Sequence, residues 1–93
     1  MFFVALIFYI EKIIEMSEKE LIQGVIAKDR NSCRELFDTY SERVYNTVLS
    51  FLQNANDAED ITQDVFIEIF DSIYKFNGKS GLYTWIYRIA VNK

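Results

Sequence analysis

Two stretches decide the fold: Ala58-Glu59-Asp60-Ile61-Thr62-Gln63-Asp64-Val65-Phe66 and, beyond one loop, Tyr83-Thr84-Trp85-Ile86-Tyr87-Arg88-Ile89-Ala90-Val91-Asn92. In the first, Glu59 and Asp60 crowd a helix start, where unpaired N–H groups and the helix dipole favour negative charge. Ile61, Val65, Phe66, Ile69, Phe70 and Ile73 then follow at helical spacing. In the second, Leu82, Trp85, Ile86 and Ile89 recur three or four residues apart and mark another apolar stripe. The intervening Phe76-Asn77-Gly78-Lys79-Ser80 holds the glycine expected where a helix stops, and Ser80 is placed to cap the next one.

Working outward, Gln53-Asn54-Ala55-Asn56 reads as a connection, with Asn56 or Asp57 capping a helix that ends near Tyr74 or Lys75. Upstream, Leu36, Phe37, Tyr40, Val44, Tyr45, Val48, Leu49 and Leu52 trace the apolar face of a long helix, roughly Ser32 to Leu52. The polar break Lys28-Asp29-Arg30-Asn31 precedes it and offers two caps. Ser17 followed by Glu20 is a capping-box pattern, so a short first helix is expected from about Glu18 to Ala27. The pattern contains no convincing strand, no internal repeat and no low-complexity segment. It predicts an all-α fold, a compact bundle of about four helices with an extra apolar N-terminal segment.

That segment, Met1-Phe2-Phe3-Val4-Ala5-Leu6-Ile7-Phe8-Tyr9-Ile10, is interrupted by Glu11 and Lys12. It is shorter than the roughly 20 apolar residues a spanning helix needs. It also lacks the positive leader and small-residue cleavage site of a secretory signal. Three readings remain: a helix packed on the domain, a membrane-surface anchor, or sequence translated upstream of the true start. The third is preferred, because Met16-Ser17-Glu18-Lys19-Glu20 reads like an ordinary bacterial amino terminus.

The 93 residues contain no proline and suffice for one small domain. An apolar share of 51% argues for a packed core, because a disordered chain cannot bury enough apolar surface to offset its ordering entropy. There is no histidine, and the single Cys33 can make no internal disulfide and no multi-cysteine zinc site. A reducing, cytoplasmic compartment fits. The net charge of −4 argues weakly against a nucleic-acid partner, yet its distribution reverses that impression. All 14 acids lie between Glu11 and Asp71, whereas Lys75, Lys79, Arg88 and Lys93 follow with no acid among them. Such asymmetry suggests two different partner surfaces.

No constellation of residues suits catalysis. The usual general base is missing, and no pair of carboxylates stands apart from those on solvated helical faces. Asp57, Glu59, Asp60 and Asp64 lack the glycine and alternating spacing of a calcium loop. The expectation is no enzyme, no metal and no cofactor. Asp60, Gln63 and Asp64, at relative positions 0, 3 and 4, fall on one helical face. Acids there complement the helix dipole, but they also suit docking of a basic partner. Phe76, Tyr83, Trp85 and Tyr87 lie among Lys75, Lys79, Arg88 and Lys93, a mixture suited to single-stranded nucleic acid: rings stack on bases while cations track phosphates. Trp85, in register with Leu82, Ile86 and Ile89, is at least as well suited to the core. Asn92, beside Lys93, is the better polar candidate for reading a base edge.

Taken together, Ala58 to Phe66, the Phe76–Ser80 loop and Tyr83 to Asn92 resemble region 2 of the extracytoplasmic-function (ECF) sigma factors of the sigma-70 family. The resemblance extends over about residues 18 to 93. It implies an all-helical domain that binds the clamp helices of the largest subunit of RNA polymerase and melts promoter DNA at the minus-ten element. By that resemblance, Asp60, Gln63 and Asp64 form the clamp-binding face, with Asp64 in place of a more frequent glutamate. Ser72 and Phe76 would line a pocket for a flipped non-template base, and Asn92 would contact that base. Asn77, Gly78, Lys79 and Ser80 would form the variable loop that sets the preferred base, and Arg88 and Lys93, from the mixture of rings and cations noted above, are expected as cations near the DNA. Trp85 matches a helix-packing tryptophan.

The family further implies an anti-sigma factor as inhibitory partner. Against its pattern, the last helix stops at Lys93 where further basic residues usually follow, and the domain that reads the minus-thirty-five element is absent. Residues 16–93 are therefore expected to be a region 2 domain truncated at its C-terminal end, with 1–15 as an extension. The competing reading is a small helical interaction module bound by an inhibitory partner or a membrane surface.

Overall fold

The computed structural model describes residues 2–93, with the side chains at 2 and 14–16 outside the description. Four α-helices follow one another: α1 Phe2–Ile26, α2 Arg30–Leu52, α3 Ala55–Ser72 and α4 Leu82–Val91. A 3-10 turn, Ile73–Lys75, tightens the exit of α3. Among the described residues there is no strand. The expected all-α bundle is the fold observed.

Each helix contributes an apolar face to one core. Ile22 and Val25 come from α1, Leu36, Val44 and Val48 from α2, Ala58, Val65, Phe66 and Ile69 from α3, and Leu82, Ile86 and Ala90 from α4, with Ile73 between the last two. At about 25 cal/mol per Å2 of apolar surface removed from water, this shared burial is the main term favouring the fold. α2 lies at the centre of the bundle, touching α1, α3 and α4.

The first helix departs from expectation. It does not begin near Glu18 but runs without a break from Phe2 to Ile26. A capping box acts only where a helix has an end, and neither proline nor glycine occurs before Gly24 to make one. Phe3, Val4, Leu6, Ile7, Phe8, Tyr9, Ile10 and Ile13 are exposed on that extension, which therefore projects from the core instead of packing on it. No helix among the described residues is long and apolar enough to cross a membrane.

The connections are set by caps. α1 ends with Lys28 in the left-handed region at φ 63°, where the Lys28 N–H donates to Val25 O and the Asp29 N–H to Gly24 O. These are the two bonds of a Schellman motif, here without its usual glycine. The Lys28 ammonium then donates to the Phe70 carbonyl in the last turn of α3, at 3.0 Å, where a cation also complements the helix dipole. Asp29 caps α2, accepting from both the backbone and the hydroxyl of Ser32, which holds its carboxyl below the usual range. α3 is capped by Asn54, not by Asn56 or Asp57, through the Asp57 N–H. Ser80 does not cap α4; Gly81 occupies that position and makes no side-chain bond.

Candidate nucleic-acid interface

Helix α3 buries Ala58, Thr62, Val65, Phe66 and Ile69 and leaves Asp60, Gln63 and Asp64 exposed. The side-chain direction follows from the period of 3.6: positions 60, 63 and 64 lie away from the stripe that carries 58, 62, 65 and 69. Among the described residues none of the three makes an ion pair or a side-chain hydrogen bond, so all three remain available to a partner. Beside them, Phe37, Ser41, Glu42 and Tyr45 of α2 and Glu59, Thr62 and Gln63 of α3 border a shallow groove.

The loop between the 3-10 turn and α4 builds a cleft of about 320 Å3, lined by Lys75, Phe76, Asn77, Lys79, Ser80, Trp85 and Arg88. All seven are residues the sequence pointed to, although Trp85 was read as at least as well suited to the core. The loop turns because the Asn77 carboxamide accepts from the Lys79 N–H at 2.9 Å, while Gly78 takes φ 78°, a conformation glycine adopts at little cost. Phe76 is half-buried, its ring 5.7 Å from Trp85 and tilted by 56°. One face of the loop thus presents an aromatic floor with Lys75, Lys79 and Arg88 around it. Such a cleft admits a flat ring and its attached phosphate. Trp85 both packs against the core and borders the cleft.

A second cleft of about 460 Å3 adjoins the first and shares Phe76, Lys79 and Ser80 with it. Gly78 and Gly81 complete its loop side, and Glu18, Lys19 and Ile22 of α1 form the opposite wall. Local sequence patterns carried no signal for this wall, because it is made by packing between segments 54 to 63 residues apart.

Other expected residues lie elsewhere. Ser72 does not line the Phe76 cleft; it borders a groove with Asp64, Ile67, Glu68, Asp71 and Lys93. The 3-10 turn between Ser72 and Phe76 has three residues per turn, so positions four apart no longer share a face. Lys93 is engaged by α3, its ammonium 3.0 Å from the Glu68 carboxylate. Asn92 ends α4, with its backbone N–H turned to Arg88 O and Ile89 O and its side chain exposed. Tyr83 and Tyr87 line neither cleft at the loop. Tyr83 instead stacks on Tyr40 at 5.9 Å, approaches Tyr87 at 6.4 Å and carries the Arg43 guanidinium 3.7 Å above its ring. Burial raises the Tyr40 phenol above its ordinary value, Glu18 adds to the rise and Arg43 opposes it. Among the described residues no group of His, Cys, Asp and Glu is arranged to hold a metal ion.

Over 78 residues the chain is 35% identical to the ECF RNA polymerase sigma factor SigW of Bacillus subtilis (strain 168), covering 84% of this chain and 42% of that protein. It is 31% identical over 75 residues to the RNA polymerase sigma-H factor of Pseudomonas aeruginosa, covering 81% and 39% respectively. The solved structure of an engineered region 2 of sigmaE in complex with GTAAAA superposes with a TM-score of 0.70 at 29% identity, over 77% of this chain and 75% of that one. The chain spans about two fifths of the length of the curated relatives it matches. Residues 36–93 match the family model described as Sigma-70 region 2. That span holds the acidic face of α3, the loop with its aromatic floor and the Trp85 helix, and the chain belongs to the Sigma-70 region 2 family.

Proposed function

We propose that the chain is the polymerase-binding and promoter-recognising domain of an ECF-type sigma factor, a transcription initiation factor and not an enzyme, acting in the cytoplasm. Residues 16–93 form the working domain, and 1–15 are an extension preceding it. The observation that carries this reading is the cleft in which Phe76 and Trp85 are ringed by Lys75, Lys79 and Arg88, on a molecule whose α3 offers unpaired Asp60, Gln63 and Asp64. The cationic, aromatic cleft suits an unpaired strand and the acidic face suits a basic protein helix.

In this reading α3 docks on the clamp helices of the largest subunit of RNA polymerase through Asp60, Gln63 and Asp64. The loop Asn77-Gly78-Lys79-Ser80 selects a base of the non-template minus-ten strand that stacks on Phe76, Arg88 holds a neighbouring phosphate, and Asn92 and Lys93 bound the path of the strand. Stacking one base contributes about 1–3 kcal/mol, which only matches the few kcal/mol that unstacking costs. The chain alone therefore holds an unpaired strand without opening a duplex, and promoter melting requires the added contacts of the polymerase. An anti-sigma factor would inhibit by covering these same surfaces.

The test is a pull-down of the full chain with the isolated clamp-helix segment, alongside charge reversal at Asp60 and Asp64 with Gln63→Lys. Binding by the wild type that is lost in the reversed variant is the expected result. A folded wild-type chain that captures no clamp segment would overturn the docking assignment. Exposed apolar side chains on the α1 extension support a second reading, an association module for an inhibitory partner or a membrane surface. Binding of the chain to lipid vesicles, with no salt-sensitive affinity for single-stranded DNA, would favour it.

A further inference from the structure

We propose that the cleft between α1 and the loop is a second nucleotide subsite, in which Glu18 and Lys19 read the nucleotide next to the one stacked on Phe76. The inference rests on the single-strand reading above and adds a wall to it that local sequence motifs do not mark. The two clefts share Phe76, Lys79 and Ser80 as lining residues, so they are neighbours on the loop and suit successive nucleotides of one strand. At about 460 Å3 the second is the roomier, with Ile22 and Phe76 as its apolar surfaces and the glycines at 78 and 81 keeping its loop side low.

The charges of this cleft are arranged for a nucleotide. Lys19 of α1 and Lys79 of the loop both line it, and two cations at one cleft suit a phosphate between successive bases. Glu18 is half-buried beside them and makes no hydrogen bond or ion pair among the described residues. A carboxylate accepts from an exocyclic amino group such as that of cytosine and repels the carbonyl edge of thymine. The subsite therefore prefers an amino-bearing base, cytosine or adenine, over thymine. Specificity is then divided between the loop, which reads the captured base, and α1, which reads its neighbour.

The test uses the full chain and the hexanucleotide GTAAAA, the strand bound by the solved relative, together with single-position thymine and abasic versions of it. Affinities are measured for wild type, Phe76→Ala, Glu18→Gln and Lys19→Ala, with the backbone amides followed by NMR. At one position, thymine should weaken wild-type binding at least threefold, and Glu18→Gln should erase that difference while leaving the other positions unchanged. Removing the base at that position should abolish the amide shifts at Glu18, Lys19 and Ile22. Unchanged base preferences in Glu18→Gln and Lys19→Ala, with binding still lost in Phe76→Ala, would overturn the subsite and leave the single-strand reading standing. No binding of any hexanucleotide by the wild type would remove both.

Discussion

Phe76 leans on Trp85, with ring centroids 5.7 Å apart and planes at 56°. The ring offered to a base is thus held by a residue of α4 that also packs on the core. The two positions should consequently fail in different ways. Phe76→Ala removes the stacking platform together with a half-buried ring, smaller than that of Trp85, that packs on the edge of the core, so single-strand affinity should fall by roughly tenfold or more, as expected for loss of about 1–3 kcal/mol of stacking. Trp85→Ala should lower affinity as well, but through the fold, with a stability loss of about 3 kcal/mol. Chemical denaturation beside fluorescence-anisotropy titration separates the cases. Equal stability losses in the two variants would mean that Phe76 is a core residue and not a platform.

Where α1 crosses the start of α2, Gly24 has no room for a side chain. A Cβ there would collide with Ser32 Oγ and lie 2.6 Å from Ser32 Cβ. Alanine would gain about 1 kcal/mol in helix propensity, yet overpacking a tight contact typically costs about 1–3 kcal/mol. Gly24→Ala is expected to destabilise by about 1 kcal/mol net. Ser32→Gly removes both colliding atoms, so the double variant should recover part of the loss, with a coupling of at least about 0.5 kcal/mol in a double-mutant cycle. Strict additivity in thermal or urea unfolding would show that α1 simply shifts away from α2.

Asp29 gives the fold a dependence on pH. Its carboxyl is held below the ordinary value, first by the Ser32 N–H and then by the Ser32 hydroxyl. A group whose value is lowered on folding stabilises the native state above its unfolded value, and that contribution disappears as the pH falls through the lowered one. Asparagine keeps the cap without the charge. The wild type should be the more stable of the pair at neutral pH, and its advantage over Asp29→Asn should shrink as the pH falls below the ordinary aspartate range. A Tm difference that stays constant between pH 7 and pH 3 would assign the capping entirely to the neutral hydrogen bond.

Much of this molecule is legible residue by residue, and its departures have physical causes. The stripes Val65-Phe66-Ile69 and Leu82-Ile86 are core, because both helices bury one regular face. The start of α1 is not legible from Ser17, since a capping pattern within an uninterrupted run of helix-compatible residues ends nothing. Phe76, Asn77, Lys79 and Ser80 are close in sequence, so their shared cleft follows from one loop. Ser72, which the resemblance put beside Phe76, borders a different groove, because the 3-10 turn intervenes. The wall supplied by Glu18 and Lys19 comes from tertiary packing alone.

The contact between Lys93 and Glu68 limits what the tail of α4 can offer to DNA. Their charged atoms are 3.0 Å apart, with side chains 29% and 42% exposed, in a groove that also holds Asp64 and Asp71. A pair this exposed contributes about 1 kcal/mol or less to stability, so it can be removed without endangering the fold. Glu68→Gln should leave the midpoint of unfolding nearly unchanged while releasing the Lys93 ammonium. If Lys93 then reaches a phosphate, affinity for a single strand rises a few-fold at low salt. The plot of log affinity against log salt steepens by about 0.7, the increment for one added phosphate contact on a single strand. Lys93→Ala should cancel both effects when combined with Glu68→Gln. An unchanged slope in Glu68→Gln would place Lys93 off the path of the strand, leaving Lys75, Lys79 and Arg88 as the cations that hold it.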